Sequence, residues 1–226
     1  MSDIYKLQFN GMTLIYPGWT GYVAYEGTDP YNPLNLPPYT IRVRTTDGNP
    51  PVGDVLSAFS TLVTGTIDVY DVTPTNHRFD NLFAYSSNVA EVLGANSTGV
   101  TNMSSMFEQC GNLESVAVFD TSSVTNMTRM FYGCNITSVP LFNTSSVTNM
   151  NEMFRGCWQL TSVPLLDTSS VTDMSGMLGG CSQLASIPLF NTSNVTDMSG
   201  MFIDCYSLES IPPLDTSAVR NMSGMF

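Results

Sequence analysis

The chain has 226 residues, 42% of them hydrophobic, enough to bury a substantial core in one or two domains. Seven basic residues face 19 acidic ones, and a net charge of −12 excludes nucleic acid and anionic membrane as main partners by simple repulsion. No stretch approaches the 18 consecutive apolar residues of a membrane span, and the start MSDIYKLQFN lacks the basic region and apolar run of an export signal, so neither membrane insertion nor that export route is expected.

From Ile4 to Tyr16 the pattern IYKLQF-NG-MTLIY alternates apolar and polar residues around Asn10-Gly11, a dipeptide suited to a type I′ turn, and so predicts a β-hairpin. A third strand is expected over Gly21 to Tyr25. Asp29 to Pro38, DPYNPLNLPP, is too rich in proline for a helix or central strand and reads as a loop. Tyr39 to Thr45 alternates again and ends at Asp47-Gly48, with Pro50-Pro51 barring continuation. DVLSAFSTLV predicts a short helix capped by Asp54, and TIDVYDV a strand. The aromatic residues of this part (Tyr5, Phe9, Tyr16, Trp19, Tyr22, Tyr25, Tyr31 and Tyr39) fit a core and an interface better than a sugar-binding face, given so small a module. The single histidine, His77, lies in the loop TPTNH that separates this module from the rest of the chain.

From Asn96 onward one phrase, typified by DTSSVTNMTRMFYGCNITSVPLF, returns in phase. Val100, Val124, Val147, Val171, Val195 and Val219 mark steps of 24, 23, 24, 24 and 24 residues, a period that signals stacked coils. Seven positions per unit stay apolar. They are that Val; two Met rows, Met103 to Met222 and Met106 to Met225; a Phe row from Phe107 to Phe226; a Cys row from Cys110 to Cys205; a Leu/Ile row from Leu113; and a Val/Ile row from Val116. One unit cannot shield so many apolar faces alone, so units must bury them on one another. Twelve of the 14 Met residues fall in the two Met rows, where a flexible thioether fills core gaps; they read as packing rather than as metal ligands. Five cysteines, one per unit and never CxxC, fit neither a zinc site nor a complete disulfide set and read as buried reduced thiols. No metal and no cofactor is expected.

The residue before each TS alternates without exception: Asn96, Asp120, Asn143, Asp167, Asn191, Asp215. Alternation keeps carboxylates apart and lets each amide donate to its neighbours, and the row reads as a ladder of Asx turns rather than cation sites. Counting back 24 residues from Met106-Phe107 and Asp120 lands on Leu82-Phe83 and Asn96, so RFDNLFAYSSNVAEVLGANS is a degenerate first unit that caps the core. The expected organisation is therefore an N-terminal β module over 1–72, a capping repeat over 73–95 and a repeat array over 96–226. The last unit stops at Phe226, before its Gly-Cys, which predicts either a longer natural chain or an end covered by another subunit.

The units DTSSVTNMTRMFYGC, NTSSVTNMNEMFRGC and DTSSVTDMSGMLGGC, each followed by a variant of LTSVPL, resemble the BspA-like leucine-rich-repeat surface proteins, with a dozen positions recurring in phase six times between Asn96 and Phe226. The resemblance implies a mainly β fold, a leucine-rich-repeat solenoid behind a small N-terminal β module, and a role in adhesion or recognition. That family occurs on bacterial surfaces and, in gut-type sequences, in phage-like gene products.

No HExxH, P-loop or nucleotide fingerprint is present and His77 has no partner motif, so an enzyme is not expected. In an array, specificity resides where otherwise identical coils differ. Those positions hold Arg129, Tyr132, Glu152, Arg155, Trp158, Asp204 and Tyr206, which form either a binding surface, with Trp and Arg as anchors, or a solvated rim. Three functions fit. The first is a non-enzymatic phage virion component, held to other virion subunits by the N-terminal module and presenting the array to a protein or glycan on a cell surface. The second is a bacterial cell-surface adhesin, and the third an intracellular protein-binding scaffold. A homo-oligomer is compatible with all three.

Overall fold

The computed structural model describes residues 79–81, 83–85 and 97–226 in full, and by their backbone the strands at residues 4–9, 12–17, 21–26, 40–45, 65–69 and 89–95. The helix expected from Asp54, the loop from Asp29 to Pro38 and His77 lie outside the described residues.

Strands β1 (Ile4–Phe9) and β2 (Met12–Pro17) pair antiparallel with Phe9 opposite Met12, the register that a two-residue Asn-Gly connection dictates. β3 (Gly21–Glu26) pairs antiparallel with β4 (Thr40–Thr45). From β4 the sheet continues in parallel through β5 (Gly65–Val69), β6 (Val89–Ala95) and β7 (Ser115–Val116). Partners step from Ile41 to Ile67, Val92 and Val116, close to one repeat length each time, and the ladder runs unbroken across both 72/73 and 95/96. The repeat rhythm thus reaches back to β4, into the segment read as a separate module.

Beyond β7 the units are joined by single parallel bridges, Asn102 to Asn126, Asn149, Asp173, Asp197 and Asn221 in turn. Alternate residues of each unit donate their N–H to the following one: Met127 to Asn149 O at 3.0 Å, Arg129 to Asn151 O at 2.9 Å, Phe131 to Met153 O at 2.9 Å and Gly133 to Arg155 O at 2.8 Å. The residues between them close tight turns on their own unit, such as Met130 N to Met127 O at 3.1 Å. This alternation requires two left-handed residues per coil, one between the two Met and one just before Cys. Glycine is the natural occupant, and Gly176 and Gly180 fill both places in one coil at φ 61° and 76°.

The Val, Met, Phe, Cys and Leu/Ile rows are buried through successive coils. Phe83, Phe107, Phe131 and Phe154 stack with ring centroids 5.2, 5.3 and 5.6 Å apart, so coil spacing and ring spacing coincide and each ring covers the next. Phe83 and Phe79 belong to the degenerate unit and are fully buried, in phase with the repeats. An eighth row, Phe119, Phe142, Leu166 and Phe190, closes the core against the Phe stack, with Phe119 5.9 Å from Phe107. Its sequence neighbours Val118, Leu141, Leu165 and Leu189 point outward and are 59–70% exposed. Two residues of the last coil depart from their inward rows, Met222 at 46% exposure and Phe226 at 73%.

Candidate functional site

The polar ladders are scaffolding. Each Asx carboxylate or amide oxygen accepts from the residue two further on: Asp120 Oδ1 from Ser122 N at 3.1 Å and Oγ at 2.7 Å, Asn143 Oδ1 from Ser145 N and Oγ at 3.2 and 2.8 Å. These bonds hold the Asp120, Asp167 and Asp215 carboxyls below their ordinary range. Among the described residues of this row the expected donation of the amides to neighbouring Asx side chains does not occur; the one such bond lies in the bridge row, Asn221 Nδ2 to Asp197 Oδ2 at 3.0 Å. The coils are joined instead by buried threonines, with Thr121 Oγ1 donating to Asn143 O and Thr168 Oγ1 to Asn191 O, both at 2.8 Å. A hydroxyl on the inner side of the turn reaches the next main chain, while the Asx side chain is spent within its own turn. A second Asx ladder, the bridge residues Asn102 to Asn221, makes the same local turns and was not singled out from sequence; its signal is the Asn or Asp before every first Met.

None of the five cysteines forms a disulfide, and each thiol points back to a carbonyl of the preceding coil, Cys134 to Phe107 O and Cys157 to Phe131 O both at 2.9 Å. Burial pushes the Cys157 thiol up to about 12 and raises Cys134 and Cys181 too, so these are inert protonated groups. Among the described residues no cluster of His, Cys, Asp or Glu could hold a metal ion.

The variable side chains gather on one flank. Arg129 Nε lies 2.6 Å from Glu152 Oε2, Arg155 Nη1 lies 3.1 Å from Glu152 Oε1, and the Arg129 guanidinium sits 5.2 Å from the centre of the Tyr132 ring. Glu108 adds a longer contact to Arg129 at 3.9 Å. Beside this ion-pair line runs a trough of about 350 Å³ lined by Tyr132, Arg155, Trp158 and Asp204. Four of the seven sequence candidates therefore share one concavity. Arg129 and Glu152 brace its edge, and Tyr206, 81% exposed, donates its hydroxyl to Asp204 Oδ1 at 2.7 Å.

Sequence reasoning did not find the floor. The left-handed position before each Cys carries, in order, Gln109, Gly133, Gly156, Gly180 and Asp204, with φ of 59°, 68°, 74°, 76° and 58°. Three consecutive coils lack a side chain there, and side chains resume at both ends, so the trough is a gap in one column. The signal is a glycine column flanked by polar residues. A second depression, lined by Glu114, Ser115, Asn135, Thr137 and Gln159, lies where one residue is missing between Cys134 and Ile136, the cause of the single 23-residue step.

Such an arrangement, a constant frame of stacked coils with side-chain variation confined to its flank, defines a repeat protein. The chain matches the family described as Mycoplasma protein of unknown function, DUF285, over residues 76–163 and 159–226, and it belongs to that family. No curated protein and no solved structure gives a significant match.

Proposed function

We propose that this chain is a non-enzymatic recognition protein of the BspA-like kind: a leucine-rich-repeat-type solenoid whose flank binds a molecule on a cell surface, carried as part of a phage virion. The observation that supports this reading is the trough, where Tyr132, Arg155, Trp158 and Asp204 converge on a glycine floor while the frame beneath repeats unchanged. Trp158, half exposed beside Arg155, is the kind of aromatic anchor with a neighbouring cation that binding surfaces use. Family membership is compatible with this role. The test is binding of the purified, labelled chain to intact gut-bacterial cells, alongside Trp158→Ala with folding checked by circular dichroism. Saturable binding that the variant loses supports the reading; cell binding that is absent, or identical in the variant, refutes it.

A second reading draws on the outward row Val118, Leu141, Leu165 and Leu189, an apolar stripe in register on four consecutive coils. It favours a scaffold that holds a protein partner, and predicts that Leu141→Glu/Leu165→Glu abolishes binding while Trp158→Ala does not.

A further inference from the structure

We infer that the trough is a subsite for a neutral, linear saccharide, one ring of which stacks on Trp158 while Gln109 and Asp204 bind hydroxyls at its two ends. This deepens the recognition reading and rests on it. Trp158 is 51% exposed, and among the described residues no ring stacks on it and its indole N–H makes no hydrogen bond. A flat apolar face with a free polar edge matches a sugar ring, which presents C–H groups on its face and hydroxyls at its rim.

Charge selects among saccharides. Arg155 is the trough's cation, and it is engaged by Glu152, which also holds Arg129. Asp204 contributes a carboxylate that accepts only the Tyr206 hydroxyl, leaving acceptor sites for hydroxyl donors. A carboxylated or sulfated sugar would meet a neutralised cation and a bare anion, so the site favours an uncharged one.

Backbone chemistry selects against a peptide. An extended peptide adds to a sheet by pairing with free main-chain groups. Here the N–H groups of Gly133, Gly156 and Gly180 are all taken, by Arg155 O at 2.8 Å and by Gly179 O and Ile203 O at 2.7 Å. The floor offers an extended peptide no donors, whereas a sugar is bound through side chains and ring stacking.

Length completes the case. Gln109 and Asp204 stand four coils apart, but the Gln109 side chain lies over Gly133, so the open floor spans about three coils, about 14 Å at roughly 4.8 Å per strand spacing, room for about three sugar rings. Both are non-glycine residues held at positive φ in a column where the three between them are glycine. The same left-handed φ recurs in the other coils, at Ser105, Arg129 and Glu152 too, so what sets Gln109 and Asp204 apart is the side chain each carries at an end of the glycine floor.

Calorimetric titration of the full chain with neutral tetrasaccharides of glucose, mannose and galactose, and with a sialylated tetrasaccharide, tests the proposal. One neutral series should bind, Trp158→Ala should weaken it at least tenfold, Trp158→Phe should retain most of it, and Asp204→Gly should weaken it several-fold with no loss of stability. Binding unchanged in Trp158→Ala, or confined to the sialylated sugar, overturns the assignment. If no saccharide binds yet the chain still binds cells in a manner abolished by protease treatment of those cells, the saccharide is wrong and the recognition reading stands. Failure to bind either cells or saccharides sinks both.

Discussion

The glycine column before the Cys row makes a stability prediction with a definite sign at each place. A left-handed backbone costs an L-residue roughly 1–2 kcal/mol, and replacing Gly by Ala returns about 0.4–1 kcal/mol by narrowing the unfolded ensemble. At Gly156, φ 74°, an added Cβ would meet the Gly133 Cα at 3.6 Å, ordinary contact, so only the backbone term acts. Gly156→Ala should therefore destabilise by about 1 kcal/mol. At Gly180 the same atom would come 3.3 Å from both Cα and N of Gly156, main chain that cannot swing aside, and Gly180→Ala should cost about 2 kcal/mol. Gln109→Gly reverses the sign: the strain at φ 59° is released against the entropy of one more glycine, a gain of about 0.5–1 kcal/mol. With a urea m-value of about 1–3 kcal/mol/M, a change of 1 kcal/mol moves the midpoint by about 0.3–1 M at constant slope, well within measurement. A Gly156→Ala protein as stable as wild type, or a Gln109→Gly protein less stable, would refute the account of this column.

Thr168 is 1% exposed and its hydroxyl supplies the inter-coil bond to Asn191 O, so Thr168→Val, nearly isosteric, should cost about 1–2 kcal/mol in the same assay by orphaning a main-chain acceptor. The buried thiols protect against alkali only while unfolding does not release protons: with Cys157 raised from an ordinary value near 9 to about 12, stability should be flat below pH 9 and fall as pH rises from there towards 12. Thiol titration of the native chain near pH 8 should reach at most the half-buried Cys205, and all five cysteines after unfolding. At the acid end, Asp120, Asp167 and Asp215 are held below their ordinary value near 3.8, so their contribution is present above pH 4 and lost as pH falls through the folded values. Because Asn143 and Asn191 make the same turns without charge, the triple variant Asp120→Asn/Asp167→Asn/Asp215→Asn should fold as well at pH 7 and lose that part of the acid limb.

Period, register and most of the inward rows are legible in the residues because each coil meets the same surroundings as the last. A position that must be apolar in one coil must be apolar in all, and the Met, Phe and Cys rows record that constraint six times or nearly so. The Phe119 row escaped for the opposite reason. Phe142 is buried and Leu141 is exposed, yet both are large and apolar, and only the direction of the chain at that corner separates them. The Asx ladder shows the same division: its turns follow from local chemistry, whereas the choice of threonine as the link between coils depends on which side chain faces the neighbour.

For the site, sequence variation marked Tyr132, Arg155, Trp158 and Asp204 as the places where coils differ, since a constant frame leaves function nowhere else to reside. Their convergence could not be read from a list of residues. It arises because three left-handed glycines fall on adjacent coils, so that an absence of side chains, stacked at strand spacing, becomes a trough with Gln109 and Asp204 at its ends. Chemistry local to one coil is written in its residues; concavity is a relation between coils, and only packing them in three dimensions brings it about.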